Sequence, residues 1–171
     1  KHGIIEINAV HKVKGDVDYS TGNIKFNGNV VILGNVKSSF EVITDGNVDI
    51  KGNVEDAKVT GHDIMISGGF IGTGKGLIKA KNDVHVKFIE NQQIEAEGDI
   101  VINGESYHSV LKAGKSIYAK GSKGKIVGGM YIANDSIKAG TFGSLSCPPT
   151  VLKVGFDPQY SEKIKEVESH I

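Results

Sequence analysis

Residues 22–54 read GNIKFNGNVVILGNVKSSFEVITDGNVDIKGNV. Gly-Asn followed by Val or Ile occurs five times within it, at Gly22-Asn23-Ile24, Gly28-Asn29-Val30, Gly34-Asn35-Val36, Gly46-Asn47-Val48 and Gly52-Asn53-Val54. Looser copies follow at Gly61-His62-Asp63-Ile64, Asn82-Asp83-Val84, Gly98-Asp99-Ile100, Gly114-Lys115-Ser116-Ile117 and Asn134-Asp135-Ser136-Ile137. From Val48 onward the aliphatic position recurs after 16, 20, 16, 17 and 20 residues, the size of one solenoid coil.

The segments between these corners alternate. In Val48-Asp49-Ile50, Ile64-Met65-Ile66, Val84-His85-Val86 and Ile100-Val101-Ile102 the first and third residues can point inward and the middle one outward. Stacked coils would align Val and Ile into aliphatic columns. Each corner Gly would supply positive φ, and the neighbouring Asn or Asp would bond local backbone or stack on its equivalent one coil away. Gly15-Asp16 makes the same kind of corner, with Val17 inward. The expected fold is all-β: a single parallel β-helix (β-solenoid), right-handed, of about eight coils, with a short C-terminal helix. The expected organisation is lead-in strands over 1–14, the solenoid over 15–156 and the helix over 157–171.

One competing pattern needs weighing. Ile24, Val30, Val36, Val42, Val48 and Val54 recur every six residues, as in left-handed hexapeptide acyltransferases. The register fails at Thr60, and the Gly precedes the aliphatic residue by two where those enzymes place a small residue after it.

Composition agrees with many tight turns joining short strands. The chain of 171 residues holds 23 Gly, 3 Pro and no Trp. Formal net charge is zero, and all 20 basic residues are Lys. Arg is the preferred residue for bidentate contact with phosphate and guanine, so a neutral, Arg-free chain is a poor nucleic-acid reader. Cys147 is the only cysteine, which excludes an internal disulfide and a Cys-based zinc site. No apolar run approaches the length needed to cross a bilayer, and no signal peptide opens the chain. A cytoplasmic location is expected, and the start at Lys1 suggests a piece of a longer protein.

The motifs that resemble catalytic ones fall short. Gly69-Phe70-Ile71-Gly72-Thr73-Gly74-Lys75-Gly76 satisfies GxxxxGK, but Gly76 stands where a Mg²⁺-binding hydroxyl belongs and Leu77-Ile78-Lys79-Ala80 reads as a strand rather than a helix. The histidines show no HxxxH or HExxH spacing. Asp16 and Asp18 lack a third acidic ligand nearby in sequence. His108-Ser109 would need an orienting acid and an oxyanion hole. No catalytic residue, cofactor site or metal site is expected. A local excess of positive charge at Lys112, Lys115, Lys120, Lys123, Lys125 and Lys138, opposed by Asp135 alone, is the candidate docking patch for an acidic protein partner, with His108 beside it.

Several motifs in order resemble one family. Gly15-Asp16-Val17-Asp18-Tyr19-Ser20-Thr21-Gly22-Asn23-Ile24 is similar to the start of the solenoid in the flagellar assembly protein A family. Gly68-Gly69-Phe70-Ile71-Gly72, Lys87-Phe88-Ile89-Glu90-Asn91, Tyr107-His108-Ser109, Gly121 to Gly129 and Val154-Gly155-Phe156-Asp157-Pro158 resemble its later signatures. The resemblance covers roughly residues 15–158. It implies a bacterial cytoplasmic protein tied to flagellum assembly, a β-solenoid followed by a coiled coil, and no established enzymatic activity. The expected role is a non-enzymatic scaffold. The alternatives are a polymer-forming solenoid like the bactofilins and a solenoid enzyme such as a hexapeptide acyltransferase.

At the C-terminus, Ser161 can cap a helix whose first turn carries Glu162. Ile164, Val167 and Ile171 follow at helical spacing. About ten residues are marginal as an isolated helix, so this stripe is expected to dock: either back over the last coil, covering a strand edge, or, the favoured reading, on another chain in a homo-oligomer as the start of a coiled coil.

Overall fold

The structure is a computed structural model, and it describes residue 3 and residues 9–146 and 149–155. The expected C-terminal helix, with Ile164, Val167 and Ile171, lies outside the described residues.

Every strand pairing is parallel, and the pairings sort into three ladders, one per face of each coil. On face 1 His11, Val30, Val48, Ile64, Val84, Ile100, Ile117 and Ile137 stand in register. On face 2 the column is Val17, Val36, Val54, Phe70, Ile89, Ser106, Ile126 and Phe142. On face 3 it is Ile24, Val42, Val59, Ile78, Ile94, Leu111, Tyr131 and Leu152. Each column has one residue per coil, so the described residues form eight coils. Seven steps of ~4.8 Å make the stack about 34 Å tall. The first coil already includes Val10–Val13, which pairs with Asn29–Ile32.

The inward residues form one continuous core. Val48, Ile64, Val84, Ile100 and Ile117 are all at most 1% exposed; Ile137, in the last coil, is half-buried. Each fully buried Val or Ile contributes about 1.5–3 kcal/mol of transfer free energy. The core closes with Tyr131, the largest fully buried side chain. Its hydroxyl meets Ser106 Oγ at 2.9 Å, so a small residue in the face 2 column makes room for a large one in face 3. Burial raises the Tyr131 pKa, and the hydrogen bond from Ser106 acts against that rise.

The six-residue recurrence is one inward residue per face. Ile24, Val30 and Val36 belong to faces 3, 1 and 2, and Val42, Val48 and Val54 repeat that order. The register breaks at Thr60 because the next inward residue, Val59, comes one position early. Longer coils carry their extra residues at corners. Phe70 and Ile78 are separated by Gly72–Gly76, and Ile117 and Ile126 by the turn at Gly121–Gly124. Strands also continue around corners, as in Ile64–Ile71, Glu105–Ala113 and Lys125–Ala133.

The corner glycines differ from expectation. Gly22 and Gly28 have positive φ, but Gly34, Gly46 and Gly52 do not. They are required by close approach instead: a Cβ on Gly46 would run into the backbone of Gly28 one coil away, and one on Gly52 into the backbone of Gly34. The Asn and Asp beside them form the expected ladder. Asn29 Oδ1 accepts the Asn47 N–H at 2.9 Å, Asn47 accepts that of Asp63, Asp63 that of Asp83, Asp83 that of Asp99, and Asp99 that of Ser116. A shorter ladder on the other side of face 1 runs from Asp16 through Asn35 and Asn53 to Gly69.

Candidate functional site

The glycine-rich segment at Gly69–Gly76 is a clamp on the protein's own carboxylate. Asp56, one coil earlier, accepts the Thr73 N–H at 2.9 Å, the Thr73 hydroxyl at 2.9 Å and the Lys75 N–H at 3.1 Å. Gln92, one coil later and 1% exposed, donates Nε2 to Asp56 at 2.7 Å and accepts the Gly76 N–H at 2.9 Å. Burial alone would raise the Asp56 pKa. The hydrogen bonds from Gln92, Thr73 and Lys75 override it and hold the carboxyl at about 2. The Thr73 and Lys75 N–H groups of the loop are thus engaged by Asp56 and the Gly76 N–H by Gln92, and the segment leads into the strand Leu77–Ala80. Sequence alone shows the unusual loop but not this clamp.

Below the clamp is an open pocket of about 320 Å³ bordered by Asn23, Phe40, Glu41, Asp56, Lys58 and Lys75. Above it the network continues to Ser109, whose hydroxyl accepts the Gln92 N–H at 3.2 Å and donates to the Tyr107 carbonyl at 2.8 Å. Ser109 is fully buried whereas His108 is exposed, at φ 48° in the corner, with its ring over Gly128. The two side chains therefore lie on opposite sides of the backbone, Ser109 in the core and His108 at the surface. Asp16 and Asp18 are also locally engaged. Asp16 starts the shorter ladder; Asp18 accepts the Ser20 hydroxyl at 2.6 Å and the Ser20 N–H at 2.8 Å, which lower its pKa.

The lysines are distributed by the three ladders. Lys112 lies outward on face 3, where Glu95 stands 3.8 Å from both Lys112 and Lys79. Lys115 sits in the corner beside Ser116, before face 1. Lys120 and Lys138 converge on Tyr118 of face 1, at 5.4 and 5.8 Å from its ring centroid. Lys123 is in the turn at Gly121–Gly124, and Lys125 begins the strand paired with Glu105. So Lys120 and Lys138 share an aromatic ring, which the sequence pattern did not reveal, while Lys112 belongs to another face. No cluster of three or more potential metal ligands exists among the described residues, and none of their helices is long and apolar enough to cross a membrane.

These features define a parallel β-solenoid whose internal polar groups are tied mainly to one another. The family model for the Flagellar Assembly Protein A beta solenoid domain matches residues 9–171, and the chain belongs to that family. No curated protein matches the chain. No solved structure matches it either.

Proposed function

We propose that this chain is a non-enzymatic scaffold of flagellum assembly, acting in the cytoplasm, that holds protein partners on the faces of its solenoid. The observation that carries this reading is the family match over nearly the whole chain. It is supported by the saturation of Asp56, Gln92, Ser109 and the corner ladders, whose chemistry is spent on joining coils. The Lys120–Tyr118–Lys138 cluster is the docking point for an acidic partner, with Lys115, Lys123 and Lys125 around it. Ile164, Val167 and Ile171 pair with another chain and set the scaffold's valency.

The test is genetic. In the source bacterium, deletion should reduce the number of flagella counted by electron microscopy. A chromosomal Lys120→Glu/Lys138→Glu variant should reproduce most of that loss at unchanged protein level. Normal flagellation in the deletion strain would end the flagellar reading; normal flagellation in the double variant alone would end the docking assignment.

A further inference from the structure

Two columns of side chains run side by side up the first half of face 1. Asn29, Asn47, Asp63 and Asp83 form one, in the corner before the strands. Val31, Asp49, Met65 and His85 form the other, at the middle of the strands themselves. Each member stands one coil beyond the last. Both columns line one open groove of about 570 Å³ that begins at Val10. Three coil steps of ~4.8 Å make the two columns about 14 Å long.

The chemistry of this groove is incomplete in three ways. First, Asp49, Asp63 and Asp83 line it and no Lys does. Lys51 Nζ is held at 2.7 Å from Asp49 Oδ2, and His62 meets Asp63 at 3.1 Å, which leaves the set negative. Second, Asp49 Oδ1 is buried and accepts no hydrogen bond among the described residues. The Asp49 side chain as a whole is 35% exposed, so a turn of the carboxylate presents this oxygen to the groove. Third, Asn29 and Asn47 spend their Oδ1 atoms on the corner ladder, and their Nδ2 groups meet no acceptor among the described residues. Beside these polar groups stand Val10 and Met65, 56% and 50% exposed.

We infer that this groove docks a basic, extended peptide segment of a protein partner. Lys or Arg side chains of the segment meet Asp49, Asp63 and Asp83. Its backbone carbonyls accept from the Nδ2 groups of Asn29 and Asn47, and an aliphatic side chain between the cations covers Val31 and Met65. The amide donors select a peptide over a bare polyamine, which brings positive charge but no acceptor. An extended segment of about five residues is roughly 16 Å long, close to the length of the two columns. The groove occupies coils 1 to 5, whereas Tyr118, Lys120 and Lys138 lie in the last coils of the same face. It therefore serves a partner surface of opposite charge to the acidic one that docks there, and it stands or falls separately from that assignment.

The test titrates the ¹⁵N-labelled 171-residue chain with the capped peptide acetyl-Lys-Val-Lys-Val-Lys-amide. Amide signals of residues 29–31, 47–49, 63–65 and 83–85 should shift, and the affinity should fall as salt is raised. The peptide acetyl-Glu-Val-Glu-Val-Glu-amide should shift none of them. Spermidine, which carries as many positive charges as the basic peptide, should bind roughly tenfold more weakly or worse. Asp49→Asn/Asp83→Asn keeps the ladder acceptor at residue 83 and should weaken the basic peptide roughly tenfold or more at a nearly unchanged melting temperature. Met65→Lys, at an exposed position, sets a cation in the groove and should act in the same direction. No shift at millimolar peptide, shifts confined to other faces, an affinity unmoved by both variants, or spermidine binding as tightly as the peptide would overturn the inference.

Discussion

Gln92 donates its side-chain amide to the Asp56 carboxylate at 2.7 Å across 36 residues of sequence, spanning the intervening coil, whose Gly76 N–H it also binds. One side chain thus ties three successive coils at the corner between faces 2 and 3.

Replacing Gln92 by Leu keeps the side chain's approximate size and leaves the Gly76 N–H and one Asp56 oxygen short of a partner. A loss of about 2–3 kcal/mol is expected. Urea unfolding with an unchanged slope checks it. A change within about 0.5 kcal/mol would mean that the clamp is dispensable.

Acid should weaken the fold through the same corner. Folded Asp56 stays charged down to about pH 2, against an ordinary value of 3.8. Between those values the unfolded chain binds more protons, so stability falls as pH drops through that window. Above about pH 5 the contribution is complete and flat. Asp18 and Asp63 are also held below the ordinary value and act in the same sense. The melting temperature should decline below about pH 4, and Asp56→Asn should show a shallower decline from a lower plateau.

The Ser106–Tyr131 contact can be measured as a coupling. Tyr131→Phe and Ser106→Ala should each cost about 1–2 kcal/mol, because the first leaves the buried Ser106 hydroxyl without this partner and the second leaves the Tyr131 hydroxyl its longer 3.5 Å bond to the Ser106 carbonyl. The double variant should cost less than the sum, by about 1 kcal/mol. Strict additivity in a double-mutant cycle would contradict the contact.

Gly46 and Gly15 contrast a corner glycine that a close approach requires with one that neither close approach nor positive φ requires. A methyl at Gly46 would collide with the Gly28 backbone, whereas one at Gly15 meets nothing within 4 Å. Gly46→Ala should destabilise by more than about 2 kcal/mol, and Gly15→Ala should be neutral or stabilise by up to about 1 kcal/mol. Thermal melting of the two variants side by side decides it.

The aliphatic columns were legible because their signal is local and periodic: Val48, Ile64 and Val84 each follow a corner that repeats in the sequence. The clamp was not, because Asp56 and Gln92 are joined only by stacking and neither resembles its neighbours in the repeat. Ser106 reads as a gap in an aliphatic column until Tyr131, 25 residues on, is seen to fill it. Positive φ holds at Gly22 and Gly28 but not at Gly34, Gly46 and Gly52, where the reason is a close approach between coils, which has no sequence signature distinct from a turn. The lysine cluster was visible as composition, yet only the register shows that Lys120 and Lys138 flank one ring while Lys112 faces elsewhere.

The register also bears on how the chain reaches this structure. Ladder partners are separated by 16 residues, as in Val48 and Ile64, to 21, as in Gly129 and Thr150. Typical separations are thus about a tenth of the chain length, a low contact order for an all-β protein. Once two adjoining coils have formed, each further coil needs only its own short loop to close on a finished template, and growth proceeds outward from any starting pair. Loss of structure runs the other way, from the terminal coils inward, so amide exchange should be slowest near Val84 and Ile100 and fastest at Thr150–Val154.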